Sequence, residues 1–335
     1  MDAHVGGAPV RLLVGGVPRP SGTTMGKRRV WMQRQADHVR RATILEPRGH
    51  QDLVGVILTE PVSRGADAGL LFMDTGGYPV LNGAAVIAAA TIALERSLVT
   101  KAALSSEGSG EMVRLDFDTP VGTVIVNARV EKTGDRMRVP SVRVTGVPSF
   151  VVQAGLDVEL GTRRLRVDLA YGGAFYAIVD SETAGIPLVS ERLQDIRRLG
   201  VDICAALDGH EALVHPDNPR GSTLGGAIFT GPPHAPDAHL RSVTIVSHGG
   251  CDRTPGVTGT AALMSVLDAM GLLQEGEEFV HEGLLGLAER GRVVRHARVG
   301  ELPAMVPEVS GSAWITSEHT LIVDDDDPLR DGFNL

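Results

Sequence analysis

The chain has 335 residues, 43% of them hydrophobic and only 4% aromatic, with 41 glycines and a net charge of −9. That length predicts two domains with substantial cores, and the dominance of Val, Ala, Leu and Gly favours an α/β or β-rich enzyme-like fold over a disordered chain. An acidic chain without a basic cluster lacks the positive stripe that nucleic-acid binding requires, and two cysteines, Cys204 and Cys251, supply neither a disulfide framework nor zinc-ligand spacing.

No apolar run is long enough for a membrane span, and the N-terminal residues show no charged region followed by an apolar core. A reducing cytoplasm is therefore the expected location. The acidic run Asp324–Asp327 lacks the alternating spacing, glycine and distal glutamate of a calcium loop and reads as a solvated turn. No metal and no cofactor is expected.

In chain order, Val10–Gly16 reads as a strand ending in glycines, and Lys27–Arg41 is charged with helical period. Leu53–Thr59 and Ala68–Met73 are short apolar strands. Val86–Leu94 is apolar on every face, which predicts a helix enclosed by other elements. Leu115–Val130 alternates around Asp118-Thr119-Pro120 as a hairpin does. A second set begins near Ser149. Val167–Ile178 reads as strands around a glycine bend, Val189–Leu207 as a helix, and Ser242–Val246 as a strand. A second apolar helix follows from Ala261 to Leu273, and Val293–Val299 and Ala313–Val323 supply closing strands.

Two segments stand out because each places a glycine turn before an apolar helix. One is Gly76-Gly77-Tyr78-Pro79-Val80-Leu81-Asn82-Gly83-Ala84-Ala85; the other is Asp252-Arg253-Thr254-Pro255-Gly256-Val257-Thr258-Gly259-Thr260. A helix N-terminus presents unpaired N–H groups and a partial positive charge, and glycine lets a ligand approach the backbone. Two such termini facing one cleft would hold a small carboxylate, with Thr258 and Thr260 as extra donors. The plainer alternative is that both turns only start core helices.

The turns are accompanied by dispersed matches: Glu46-Pro47-Arg48-Gly49-His50-Gln51-Asp52, Phe72–Tyr78, Tyr171-Gly172-Gly173-Ala174-Phe175-Tyr176-Ala177, His215-Pro216-Asp217-Asn218-Pro219 and Glu278-Phe279-Val280-His281-Glu282. With these residues the chain resembles the proline racemase family of proline racemases, 4-hydroxyproline epimerases and trans-3-hydroxyproline dehydratases. The resemblance implies an α/β, diaminopimelate-epimerase-like fold: two similar domains, each a mixed sheet around a central helix, with the site in the interdomain cleft. The expected boundaries are 1–149 plus 318–335 for the first domain and 150–317 for the second.

The family's proton relay uses two cysteines, one in each turn, where a helix N-terminus lowers the thiol pKa. Its first motif, Met-Cys-Gly-His-Gly, stands here as Leu81-Asn82-Gly83-Ala84-Ala85. In the second motif, Asp-Arg-Ser-Pro-Cys-Gly-Thr-Gly-Thr, Gly256 takes the cysteine's place and Val257 that of the next glycine. Ala8 and Ala174 replace further site residues. An amide is no proton-transfer base near neutral pH and glycine has no side chain, so neither two-thiol racemisation nor one-thiol dehydration is supported.

The resemblance implies that Asp252 contacts the substrate amine and that His50 lies near the cleft. His248, which sits among glycines by the second motif, is a candidate recruited acid/base, Cys251 faces either the cleft or the core, and Asn82 either orients a ligand or caps its helix. The expected catalytic set is thus Asp252, His50 and His248. The expected substrate-binding set is Asn82, Gly83, Tyr78, Gly256, Thr258, Gly259, Thr260 and Cys251. The reading is a diverged, cofactor-independent enzyme of isomerase or lyase type that binds a small proline-like or cyclic imino acid through its carboxylate, for isomerisation, elimination or cyclisation in a biosynthetic pathway. Its competitors are a non-catalytic homologue that binds a ligand or partner subunit, and a residual epimerase using Cys251. By analogy with the family, a homodimer is expected.

Overall fold

The computed structural model describes residues 1–99, 109–134, 136–217 and 224–334. Asn218 and Pro219, the end of one matched stretch, lie outside the described residues. The chain opens with β1 (Asp2–Val5), β2 (Ala8–Leu13), α1 (Met25–Gln35), α2 (Asp37–Ile44), β3 (Val54–Thr59), β4 (Ala68–Met73) and α3 (Gly83–Glu95). It continues with β5 (Ser109–Thr119), β6 (Gly122–Thr133), β7 (Arg136–Thr145), β8 (Phe150–Leu160), β9 (Arg163–Tyr171) and β10 (Phe175–Asp180). Then come α4 (Leu193–Ala206), β11 (Leu224–Gly231), β12 (Leu240–Val246), β13 (Cys251–Asp252) and α5 (Val257–Ala269). The last strands are β14 (Glu278–Glu282), β15 (Ala288–Val299), β16 (Leu302–Gly311) and β17 (Ala313–Ser317).

Two compact units result, Met1–Val144 with Gly311–Leu335 and Thr145–Ser310. The expected boundaries at 149/150 and 317/318 left Ala313–Ser317 in the second domain. The strand instead pairs antiparallel with β1, with Val5 opposite Ala313, so backbone hydrogen bonding assigns it to the first unit.

In the first unit the strands run β17–β1–β2–β3–β4–β5–β6, parallel at β2–β3 and β4–β5 and antiparallel elsewhere. They curl around α3, which touches β1, β2, β3, β6 and β17. This enclosure explains a helix without a polar face: every residue from Gly83 to Leu94 is buried. Each fully buried Ile or Leu in it contributes about 1.5–3 kcal/mol by leaving water. The expected helix over Lys27–Arg41 is two helices, broken at Ala36, whose backbone leaves the helical region (φ −140°, ψ 27°). The break turns Met32, Ala36, Val39 and Ile44 into one apolar cluster, a tertiary demand with no glycine or proline to announce it.

The second unit repeats the plan. β8 pairs with β9, β9 with β10, β11 with β12 and β14 with β15, all antiparallel, while β10–β11 and β12–β14 are parallel. Its central helix is α5, in contact with β8, β9, β10 and β15 and buried from Val257 to Val266. The amphipathic α4 packs outside, on β8, β11 and β12. β16 (Leu302–Gly311) is a strand beyond those expected, and residues 318–323 are not strand. Among the described residues no helix is long and apolar enough to cross a membrane.

Candidate active site

The second turn leaves a hairpin in which Thr244 faces Asp252 and Ile245 faces Cys251. The chain then bends through Thr254–Gly256 into α5. Gly256 has φ 74° and ψ 137°, a left-handed backbone that side-chain-bearing residues rarely adopt, and a Cβ there would lie 3.1 Å from Asp252 Oδ2. Gly256, the N-cap of α5, supplies no side-chain cap, and the partial positive charge of this helix start favours an anion. Asp252, half-buried at the edge of this turn, accepts the Thr254 amide on Oδ1 at 3.3 Å.

Buried polar groups surround the turn. The Thr254 hydroxyl donates to Glu289 Oε1 at 2.6 Å, and the nearby Gly256 amide favours the anionic form of that carboxyl. Burial pushes the Glu289 carboxyl up to about 7, with the nearby Asp252 charge adding to the effect. The Tyr176 and Thr258 hydroxyls meet at 2.7 Å, and burial raises the Tyr176 phenol to about 12. His281 bonds Ser242 through Nε2 at 2.7 Å and Thr260 through Nδ1 at 2.8 Å, and burial lowers its pKa to about 3, so it is neutral. Thr258 and Thr260 thus spend their hydroxyls on Tyr176 and His281, which anchor the helix start. Gly259 is buried among Ile228 and Thr244.

In the first unit, Asn82 is extended (φ −140°, ψ 117°) and its side chain accepts the Ala85 amide at 2.9 Å. Of the two roles open to it, this is the helix cap. Gly83 is the first, buried residue of α3. Tyr78, expected at the substrate, is instead a core residue clustered with Met25, Met32, Leu53 and Met73. Its hydroxyl is enclosed without a hydrogen-bond partner among the described residues, and burial raises its pKa. Arg29 donates to its carbonyl.

Cys251 resolves toward the core: it is 5% exposed and clusters with Cys204, Ile245 and Phe229. His248 is exposed at the tip of the β12–β13 hairpin rather than among the buried groups around α5. His50 is exposed in the first unit on the loop between α2 and β3, its Nδ1 accepting the Asp52 amide at 3.3 Å. Of the expected site residues, the structure gathers Asp252, Gly256, Thr258, Gly259 and Thr260 around one helix end. No group of three His, Cys, Asp or Glu suited to a metal ion occurs among the described residues.

Tyr176, His281 and Glu289 lie outside the expected site set. The first two fell inside matched stretches that carried no signal of ionisable function. Glu289 sits in the polar run Ala288-Glu289-Arg290-Gly291-Arg292, which reads as an exposed strand. The available clue was alternation: Gly291 and Val293 share its face, and all three are buried.

The proline racemase family model matches residues 1–334. The chain belongs to the proline racemase family. A trans-3-hydroxy-L-proline dehydratase from Bacillus cereus is 37% identical over 335 residues, covering 100% of this chain and 97% of the relative. A proline racemase from Acetoanaerobium sticklandii is 33% identical over 337 residues, covering 100% and 97%. The crystal structure of a hydroxyproline epimerase from Agrobacterium vitis with bound trans-4-hydroxy-L-proline superposes with a TM-score of 0.90 at 26% identity, covering 100% of this chain and 94% of the other. Within the proline racemase family the expected architecture, a mixed sheet around a central helix, is what each unit here has.

Proposed function

We propose that this chain is a diverged proline racemase family enzyme. It binds a proline-like ring imino acid by its carboxylate at the N-terminus of α5, with Asp252 taking the substrate ammonium, and promotes a cofactor-independent isomerisation, elimination or cyclisation without a thiol relay. The observation that carries this reading is the contrast between the two helix starts. α3 has one amide, that of Ala85, capped by its own Asn82, whereas the N-cap of α5 is a glycine that supplies no side-chain cap, at a place where a side chain would crowd Asp252. The relatives' names, which range over proline and hydroxyproline, support the substrate class. Sequence positions 82 and 256, read as the family's thiol positions, support the loss of the thiol relay.

Proton transfer then falls to carboxyl or imidazole groups, with positioning by the helix end providing part of the rate. The deciding experiment incubates the purified protein in deuterated water with L-proline, D-proline, trans-3-hydroxy-L-proline and trans-4-hydroxy-L-proline, and follows Cα–H exchange and new products by NMR. Conversion that survives Cys251→Ala and is lost in Asp252→Asn supports the proposal. Racemisation that stops with Cys251→Ala overturns the thiol-free mechanism. The Asn82 cap on α3 also suits a second reading, a binding protein, and that reading is favoured by saturable ligand binding with no conversion of any of the four.

A further inference from the structure

Glu289 is a carboxyl buried behind the α5 turn and bonded to it through Thr254. It is 3% exposed, its Oε1 takes the Thr254 hydroxyl at 2.6 Å, and its Oε2 is enclosed without a hydrogen-bond partner among the described residues. Thr254 reaches both carboxyls, with its hydroxyl on Glu289 and its amide 3.3 Å from Asp252 Oδ1. We propose that Glu289 and Asp252 form a carboxyl pair bridged by Thr254, with Asp252 facing the substrate and Glu289 a positioning residue behind it, and that the pair holds one proton between them.

The physical argument is charge economy. A carboxylate on the turn and one behind it on β15 repel, and an enclosed carboxylate loses its hydration, so the buried member keeps the proton. The groups facing Glu289 do not reverse this. On β14 its cross-strand partner is His281, a neutral imidazole already bonded to Ser242 and Thr260. The first turn of α5 carries no acidic side chain, and the turn contributes Asp252 with Arg253 beside it in sequence. The α5 N-terminus favours the anion, which brings the burial-raised Glu289 within reach of neutral pH. Loss of the proton doubles the negative charge behind the substrate ammonium and strengthens its binding. The turn thereby acquires a group titrating near neutrality that is not a thiol.

This inference rests on the proposed imino-acid site, and its test separates the two. Protein carrying 13C-labelled glutamate side chains is titrated by NMR without ligand, and the Glu289 signal is identified by its absence in Glu289→Gln. The expected midpoint is near 7, moving upward in Thr254→Val because a hydrogen bond to the anion is removed. A midpoint in the ordinary glutamate range, or one that Thr254→Val leaves in place, overturns the pair. Calorimetric binding of trans-4-hydroxy-L-proline is then measured between pH 6 and 8. Wild-type affinity should rise with pH by up to about tenfold per unit, the limit for one linked proton, and the rise should vanish in Glu289→Gln. An unchanged pH dependence in Glu289→Gln overturns the pair. Absence of binding at every pH in the wild type overturns the proposed site, while the titration still decides the pair. If Glu289→Gln does not fold, the Glu289 signal is identified by its displacement in Thr254→Val, and a pH dependence of affinity that Thr254→Val does not move overturns the pair.

Discussion

Thr260 Oγ1 and His281 Nδ1 are joined at 2.8 Å, and this bond ties the first turn of α5 to β14. The other ring nitrogen is held by Ser242 on β12 at 2.7 Å, so one imidazole links a helix and two strands. Such a linker serves only while neutral, because protonation would place an enclosed charge in the core.

The first prediction concerns acid stability. The folded pKa of His281 is lowered from 6.5 to about 3, so the unfolded state binds the proton first. Its contribution is complete above about pH 6.5 and is lost as pH falls toward 3, at no more than about 1.4 kcal/mol per pH unit. Glu289 acts oppositely. With its folded pKa raised from 4.5 to about 7, stability is lost as pH rises between those values. Urea unfolding of wild type and His281→Asn at pH 7, 6, 5 and 4 should show a lower midpoint for the variant at pH 7 but a shallower acid fall. Parallel falls would mean that His281 titrates normally.

Replacing Asn82 tests the cap. Asn82→Ala removes the acceptor for the Ala85 amide and should cost about 1 kcal/mol in chemical denaturation, while Asn82→Asp should stay close to wild type. Deuterium exchange of bound imino acid, if Asn82 only caps, falls no further than the lost stability explains.

A thiol introduced at the second turn is expected to fail. Gly256→Cys forces a side chain into a left-handed backbone 3.1 Å from Asp252 Oδ2 and should lower stability by about 1–3 kcal/mol. L-proline followed by chiral chromatography should show no gain of racemisation. A clear gain would mean that the turn readily relaxes into a thiol-bearing form.

The bend between β9 and β10 leaves no room for a methyl group. A Cβ at Gly172 would stand 2.2 Å from the Thr258 carbonyl oxygen and 2.5 Å from the Ala262 nitrogen, both in the backbone of α5. Gly172→Ala should therefore destabilise by at least about 2 kcal/mol or prevent soluble expression. A near-wild-type melting temperature would show that α5 can shift.

The two thiols should be inert in the native protein. Cys204 and Cys251 are 4% and 5% exposed, and burial pushes the Cys204 thiol up to about 12. A water-soluble aromatic disulfide should release its chromophore only after denaturant is added. Rapid reaction of one thiol would place Cys251 at solvent.

The amino-acid sequence by itself determined the repeated plan and the two helix starts. A helix apolar on every face can only be enclosed, so Val86–Leu94 and Ala261–Leu273 marked the centres of both units, and alternation marked most strands. Residue identity at 82 and 256, an amide and a glycine, is likewise legible there. Tertiary structure alone decided which side chains share a site. Tyr78 carries an aromatic ring next to a glycine turn but lies in a core cluster, and Cys251 turns its sulfur the same way. Glu289 stands 35 residues beyond Thr254 in sequence, yet the two meet because β15 lies against the helix that Thr254 introduces. Periodicity reports the face of an element, whereas a pKa depends on the water and charge that distant elements remove or bring near.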